Sequence, residues 1–128
     1  MAELHRVLHV DDDADIRTIA RIALEAVGNL TVCHCDSGPD ALAKAVDFAP
    51  DVFLLDYMMP GMDGEETAEK LKDLPGLADV PVVFMTARVQ GSMPTELIAK
   101  GAIGVIAKPF DPMTLAAELR QIWQDKRP

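Results

Sequence analysis

Asp11, Asp12, Asp13, Asp56, Thr86 and Lys108 are the side chains of this sequence whose types could do chemistry together. Asp11, Asp12 and Asp56, brought into one pocket, would repel one another unless a cation or a proton intervened. Carboxylate oxygens of this kind suit a hard ion, and Mg²⁺ keeps several waters while taking a few carboxylates. Such an ion could bridge a phosphoryl oxygen and offset charge during transfer. Lys108 would add a cation, and the Thr86 hydroxyl could donate to a phosphoryl oxygen. The set describes phosphoryl transfer to a carboxylate nucleophile.

These residues are scattered through the sequence, so the elements that carry them must bring them together. Each closes a short apolar run: Val7–Val10 before the three aspartates, Val52–Leu55 before Asp56, Val82–Met85 before Thr86, and Val105–Ala107 before Lys108-Pro109. Runs of this length and β-branched content read as strands buried on both faces. Helical patterns lie between them, which predicts a parallel sheet with right-handed crossovers. In such a sheet all strand C-termini share one edge, and ligands bind there. Taken singly, the aspartates at 11 to 13 read as a helix-capping cluster, Asp56 as a turn residue, and Thr86 and Lys108 as surface positions. Their joint placement at four strand ends is what points to a site.

The full pattern is five strands alternating with five helices. Strands are expected over about His5–Asp11, Leu30–Cys35, up to Asp56, from Pro81, and over Gly104–Ala107. Ile16, Ile19, Ala20, Ala23, Leu24 and Val27 recur at helical spacing after an Asp13 cap, and Gly28 follows as a stop. Ser37 opens the second helix and Asp63 with Glu66 the third, which runs to Leu74-Pro75-Gly76. A short helix starts at Gly91–Pro94 and ends near Gly101. Asp111-Pro112 supplies N-cap and N1 for the last helix, whose stripe is Leu115, Ala116, Leu119, Ile122 and Trp123.

The 128 residues make one domain, 1–128, with a sizeable core. Net charge is −9, which argues against direct nucleic-acid binding, since phosphate contacts need a basic surface. It argues equally against adhesion to an anionic membrane. No apolar h-region follows Met1 and no stretch is long enough to span a bilayer, so a cytoplasmic location is expected. Cys33 and Cys35 flank His34 without zinc-site spacing and read as small buried side chains on one strand face. His9 reads as a buried, hydrogen-bonded core residue.

The segments Val7–Asp13, Leu54-Leu55-Asp56-Tyr57-Met58-Met59-Pro60-Gly61-Met62-Asp63-Gly64, Phe84–Ala87 and Ala107-Lys108-Pro109-Phe110 resemble the receiver domain of two-component response regulators. The resemblance runs from about Leu4 to Trp123 and implies a flavodoxin-like, doubly wound sheet of five parallel strands. It implies that Asp56 accepts a phosphoryl group from a histidine kinase or histidine phosphotransfer protein. It implies Mg²⁺ held by Asp12 directly, Asp11 through water, Asp56 and the Met58 backbone carbonyl. Lys108 would contact the phosphoryl group and precede a cis bond to Pro109. Thr86 would move toward the phosphoryl group, drawing in the loop to Arg88 and biasing a surface that binds a downstream protein. The family often places an aromatic residue three before the Lys; Val105 stands there, too short to swing as a ring does.

Two other readings compete. A haloacid-dehalogenase-like phosphatase also uses an Asp nucleophile, Mg²⁺, Thr and Lys, and Asp11-Asp12-Asp13 has its Asp-x-Asp spacing. Asp15 stands where that pattern wants Thr or Val, and the chain is short for a substrate-capping module. A flavodoxin-like cofactor carrier would need a phosphate-cradling loop after the first strand, where this chain offers three aspartates. The chain closes soon after the fifth helix, so it acts through a partner or was cut from a larger regulator.

Overall fold

The computed structural model describes residues 3–87 and 91–126. The elements alternate as β1 (Arg6–Val10), α1 (Ala14–Arg21), β2 (Thr31–Cys35), α2 (Gly38–Phe48), β3 (Val52–Asp56), α3 (Gly64–Lys72), β4 (Val82–Thr86), α4 (Met93–Ala99), β5 (Gly104–Ala107) and α5 (Leu115–Lys126). All five strands are parallel, in the order β2-β1-β3-β4-β5. This is the expected α/β class, with helices on both faces of one doubly wound sheet.

Side-chain alternation divides the core. Val7, Leu54, Val83, Met85 and Ile106 pack on one face beneath Ala20 and Leu24 of the first helical segment and Leu115, Leu119 and Trp123 of α5. Leu8, Val10, Phe53, Leu55, Val82 and Phe84 pack on the other beneath Ala41, Ala45, Ala68, Leu71 and Leu97. β3 and β4 are buried at every position, as their unbroken apolar runs require. Each buried Leu stabilises by about 2 kcal/mol relative to exposure, so the strands that end at the site rest on a firm base.

The start signals act as read. Asp13 accepts from the Asp15 and Ile16 N–H groups, Ser37 from Asp40 and Asp63 from Glu66. Several boundaries differ. α1 does not run as one α-helix to Val27; residues Ile22–Val27 form a π-helical turn. The wider turn keeps Ala23 and Leu24 in the core while Ile19, Ile22 and Val27 are left exposed, so the expected apolar stripe is only partly buried. α3 ends at Lys72, two residues short of Leu74, because Leu74–Gly76 forms a separate turn with Gly76 at φ +79°. Asp111 does cap its turn, its Oδ1 accepting from the Met113 N–H at 2.8 Å. Regular helix, however, begins only at Leu115.

Two interior expectations can be compared with the fold. Cys35 is buried and Cys33 half-buried, with Sγ atoms 3.9 Å apart and no disulfide. His9 is fully buried, and its Nδ1 lies 3.1 Å from His34 Nδ1. Its Nε2 has no hydrogen-bond partner, so the expected satisfaction is only half achieved.

Candidate functional site

The strand order reverses between β1 and β3, and the C-terminal edge there is the crevice where ligands of doubly wound sheets bind. β1 delivers Asp11 and Asp12 to it, and β3 delivers Asp56 from the adjacent strand. β4 and β5 end beside them with Thr86 and Lys108. The Lys108 N–H donates to the Thr86 carbonyl at 2.9 Å, and the Lys108–Pro109 peptide bond is cis.

The site is tightly drawn. Asp11 is fully buried; its Oδ1 accepts from the Asp13 N–H at 2.9 Å and its Oδ2 from Lys108 Nζ at 3.0 Å. The same Nζ lies 3.2 Å from Asp56 Oδ1. Asp56 is only 4% exposed, and Asp12 stands at the surface. One carboxylate oxygen each from Asp11, Asp12 and Asp56 lie within 4.8 Å of one another. Thr86 is buried at the end of β4. Met58 extends its side chain into solvent while its backbone N–H supports the Asp56 carboxylate.

Electrostatics follow from this crowding. Burial first, and then the Asp11 charge, push the Asp56 carboxyl up to about 6, against the opposing pull of Lys108 and the Met58 N–H. Burial alone would lower Lys108, but the hydrogen bonds and charges of Asp11 and Asp56 outweigh it and hold the ammonium above its ordinary value. One ammonium thus pairs with two of the three carboxylates, leaving net negative charge in an oxygen-lined pocket. That donor set fits a hard divalent cation and offers nothing soft.

The loop after β3 is shaped by close approach. A Cβ on Gly64 would sit 2.5 Å from the Asp56 carbonyl oxygen and 2.9 Å from Tyr57 Cα, so α3 can start against the end of β3 only with glycine there. Gly61, at φ +78°, makes the turn that permits this return.

The structure gathers every residue the sequence named for the site, except that Arg88 of the Thr86 loop lies outside the described residues. Three features were not read from the sequence. Arg17, from α1, donates from Nη1 to the Asp11 carbonyl at 2.8 Å and fixes the acid loop from beneath. His34 is the register partner of His9, and Glu25 Oε2 lies 3.4 Å from its Nε2 without forming a hydrogen bond. Both histidines stand two residues before an Asp that follows an apolar run, a signal that identifies them as neighbours only once β1 and β2 are known to pair. Third, the Tyr57 hydroxyl donates to Glu65 Oε1 at 2.8 Å and Lys100 Nζ to Glu65 Oε2 at 3.1 Å. No helix among the described residues is long and apolar enough to cross a membrane.

Known proteins resemble this chain in sequence and in fold. The phosphate regulon transcriptional regulatory protein PhoB of Pseudomonas aeruginosa is 36% identical across 91% of this chain and 50% of its own length. The response regulator PleD of Caulobacter vibrioides is 39% identical across 94% of this chain and 26% of its own. The chain therefore spans half or less of the length of these curated relatives. Among solved structures, the chemotaxis protein CheY4 of Vibrio cholerae superposes with a TM-score of 0.84 at 31% identity, covering 93% of this chain and 98% of that one. Residues 7–120 match the family model of the response regulator receiver domain. With an acid-lined crevice at the sheet's switch point to go with that match, the chain belongs to the receiver-domain family of response regulators, the signalling domains of two-component phosphorelays.

Proposed function

We propose that Asp56 is the phosphoryl acceptor of this receiver and that 1–128 forms a single phosphoacceptor domain. The observation that carries this is one ammonium, Lys108 Nζ, held 3.2 Å from Asp56 Oδ1 and 3.0 Å from Asp11 Oδ2 in a buried crevice. A phosphohistidine of a histidine kinase or histidine phosphotransfer protein is the donor. An Asp56 carboxylate oxygen forms the new O–P bond as the N–P bond breaks, and the imidazole leaves, taking up a proton. Lys108 is placed to neutralise a phosphoryl oxygen, and the Thr86 hydroxyl at the next strand end to donate to another. With Asp56 at about 6, the nucleophile is ionised at neutral pH.

Asp11, Asp12, Asp56 and the Met58 carbonyl would hold Mg²⁺. When bound, Mg²⁺ supplies positive charge that offsets carboxylate repulsion and the charge developing on the transferred group. The chain catalyses only its own phosphorylation and dephosphorylation, and the phosphorylated form acts on a downstream protein. A net charge of −9 supports a protein target and no direct contact with nucleic acid, and we place this exchange in the cytoplasm. A haloacid-dehalogenase-like phosphatase is not favoured, because the family match covers residues 7–120.

The test is intact mass after incubation with acetyl phosphate and Mg²⁺. Wild type should gain one phosphoryl group and Asp56→Asn none. An Asp56→Asn variant labelled to the wild-type extent would end the assignment, and steady turnover of a phosphate ester would favour the phosphatase.

A further inference from the structure

The segment just beyond Asp56 is tied to the far end of α4. Tyr57 donates its N–H to the Met85 carbonyl at 2.9 Å and accepts at its own carbonyl from the Gly64 N–H at 3.0 Å, so its backbone is clamped between β4 and α3. Its ring stands edge-on to Phe84, with centroids 5.8 Å apart and planes at 86°. Phe84 lies two residues before Thr86, on the same face of β4. From that anchored ring the hydroxyl reaches Glu65 Oε1 in the first turn of α3. The other oxygen of Glu65 takes Lys100 Nζ at the C-terminal cap of α4. Three residues on three elements thus join the acceptor end of β3 to α4.

Open pockets flank the bridge. A cavity of about 200 Å³ lined by Tyr57, Met58, Thr86, Ala87 and Met93 lies on the Thr86 side of the ring. A smaller one, about 80 Å³, lies behind the bridge among Glu65, Phe84, Leu97 and Lys100. Val105 pairs in register with Phe84 and leaves β5 without a ring that could fill either space. Glu65 holds the Tyr57 phenol up to about 12, and Tyr57 and Lys100 hold the Glu65 carboxyl below its ordinary value, as a bond to an ionised carboxylate requires.

We propose that the Tyr57–Glu65–Lys100 bridge is the latch that holds α4 in its unphosphorylated position, so that Tyr57, and no side chain of β5, passes the state of Asp56 to the α4 surface. The proposal rests on Asp56 being the phosphoryl acceptor. A phosphoryl group that draws Thr86 toward Asp56 withdraws a wall of the larger cavity. The ring then has room to turn, and turning it breaks the hydroxyl's bond to Glu65. Lys100 keeps only a half-exposed ion pair, a weak tie on its own, and α4 is released.

The experiment is amide hydrogen exchange over residues 93–103, with and without beryllofluoride and Mg²⁺, on wild type, Tyr57→Phe, Glu65→Gln and the double variant. Acetyl phosphate labelling of each is followed in parallel. Tyr57→Phe keeps the ring on Phe84 and loses only the hydroxyl, so the fold is retained. Without beryllofluoride it should exchange about tenfold faster than wild type, as loss of a hydrogen bond to a charged group implies. Beryllofluoride should then change it little, and the double variant should add nothing to either single one. Exchange in Tyr57→Phe equal to wild type in both states, with normal labelling, overturns the latch alone. Failure of wild type to take label at Asp56 overturns the receiver chemistry and the latch with it. A purely structural tie is separated by the beryllofluoride response itself, since it would raise basal exchange in Tyr57→Phe and leave the response intact. A Tyr57→Phe variant whose residues 93–103 still respond to beryllofluoride as fully as wild type overturns the proposal.

Discussion

Replacing Asp56 with Asn should stabilise the domain at neutral pH while abolishing its chemistry. The folded state holds the Asp56 carboxyl at about 6 against an ordinary 3.8. The folded protein therefore binds a proton that the unfolded chain has already lost, and stability falls as pH rises through that window. Once the carboxylate is fully ionised, the shift corresponds to about 3 kcal/mol. Asn cannot ionise and escapes this cost. Lys108 loses one partner in the variant but keeps Asp11 at 3.0 Å, so the net gain should be about 1–3 kcal/mol, a rise of several degrees in Tm. Urea unfolding followed by the fluorescence of the one tryptophan, Trp123, reads it directly. At about pH 7.5 without Mg²⁺ the variant should be the more stable, and by about pH 3 the difference should have vanished. Mg²⁺ should raise the wild type and narrow the gap, because it binds the folded state and relieves the same repulsion. A variant no more stable than wild type at neutral pH, or equally favoured at both pH values, would refute the repulsion argument.

Three further outcomes follow from neighbouring features. Burial, helped by the charges of His34, Lys108 and Arg17, lowers His9 to about 3, so its neutral form contributes stability that is complete above pH 6.5 and lost as pH falls toward 3; His9→Leu should remove this loss of about 1.4 kcal/mol per pH unit below 6, which in wild type opposes the Asp56 proton, so its urea midpoints should climb relative to wild type as pH falls. Calorimetric Mg²⁺ titration should show weaker binding for both Asp12→Ala and Asp11→Ala, with the greater loss at exposed Asp12, since Asp11 already spends both oxygens on Lys108 and the Asp13 N–H. Gly64→Ala should cost about 1–3 kcal/mol in urea unfolding and slow acetyl phosphate labelling, because the new Cβ, 2.5 Å from the Asp56 carbonyl oxygen, must displace the end of β3.

By itself the sequence determined the class of this fold and the membership of its site. Unbroken apolar runs at 52–55 and 82–85 can be strands only where both faces are covered, and helices between such strands force them parallel. A parallel sheet puts every strand end on one edge, so Asp11, Asp12, Asp56, Thr86 and Lys108 were legible as a group from their positions after those runs. The caps at Asp13, Ser37 and Asp63 were legible for the same local reason, since a side-chain oxygen one turn from a free N–H needs no distant partner.

What required the tertiary structure depends on which elements are neighbours. The strand order β2-β1-β3-β4-β5 sets His9 against His34 and Asp11 against Asp56; nothing local distinguishes it from other parallel orders. The π-helical turn at Ile22–Val27 has apolar spacing compatible with an α-helix, and only packing on the sheet decides how its residues divide between core and solvent. Lys108 could be read as a cation at the edge, but its placement between Asp11 and Asp56, and so the Asp56 carboxyl at about 6, depends on burial and on distances across three strands. The Tyr57–Glu65–Lys100 bridge spans residues 35 apart at its longer link. Such contacts are properties of the folded arrangement, because charge and hydrogen bonding act through space over a few ångströms, while sequence patterns report only what lies within a turn or a strand.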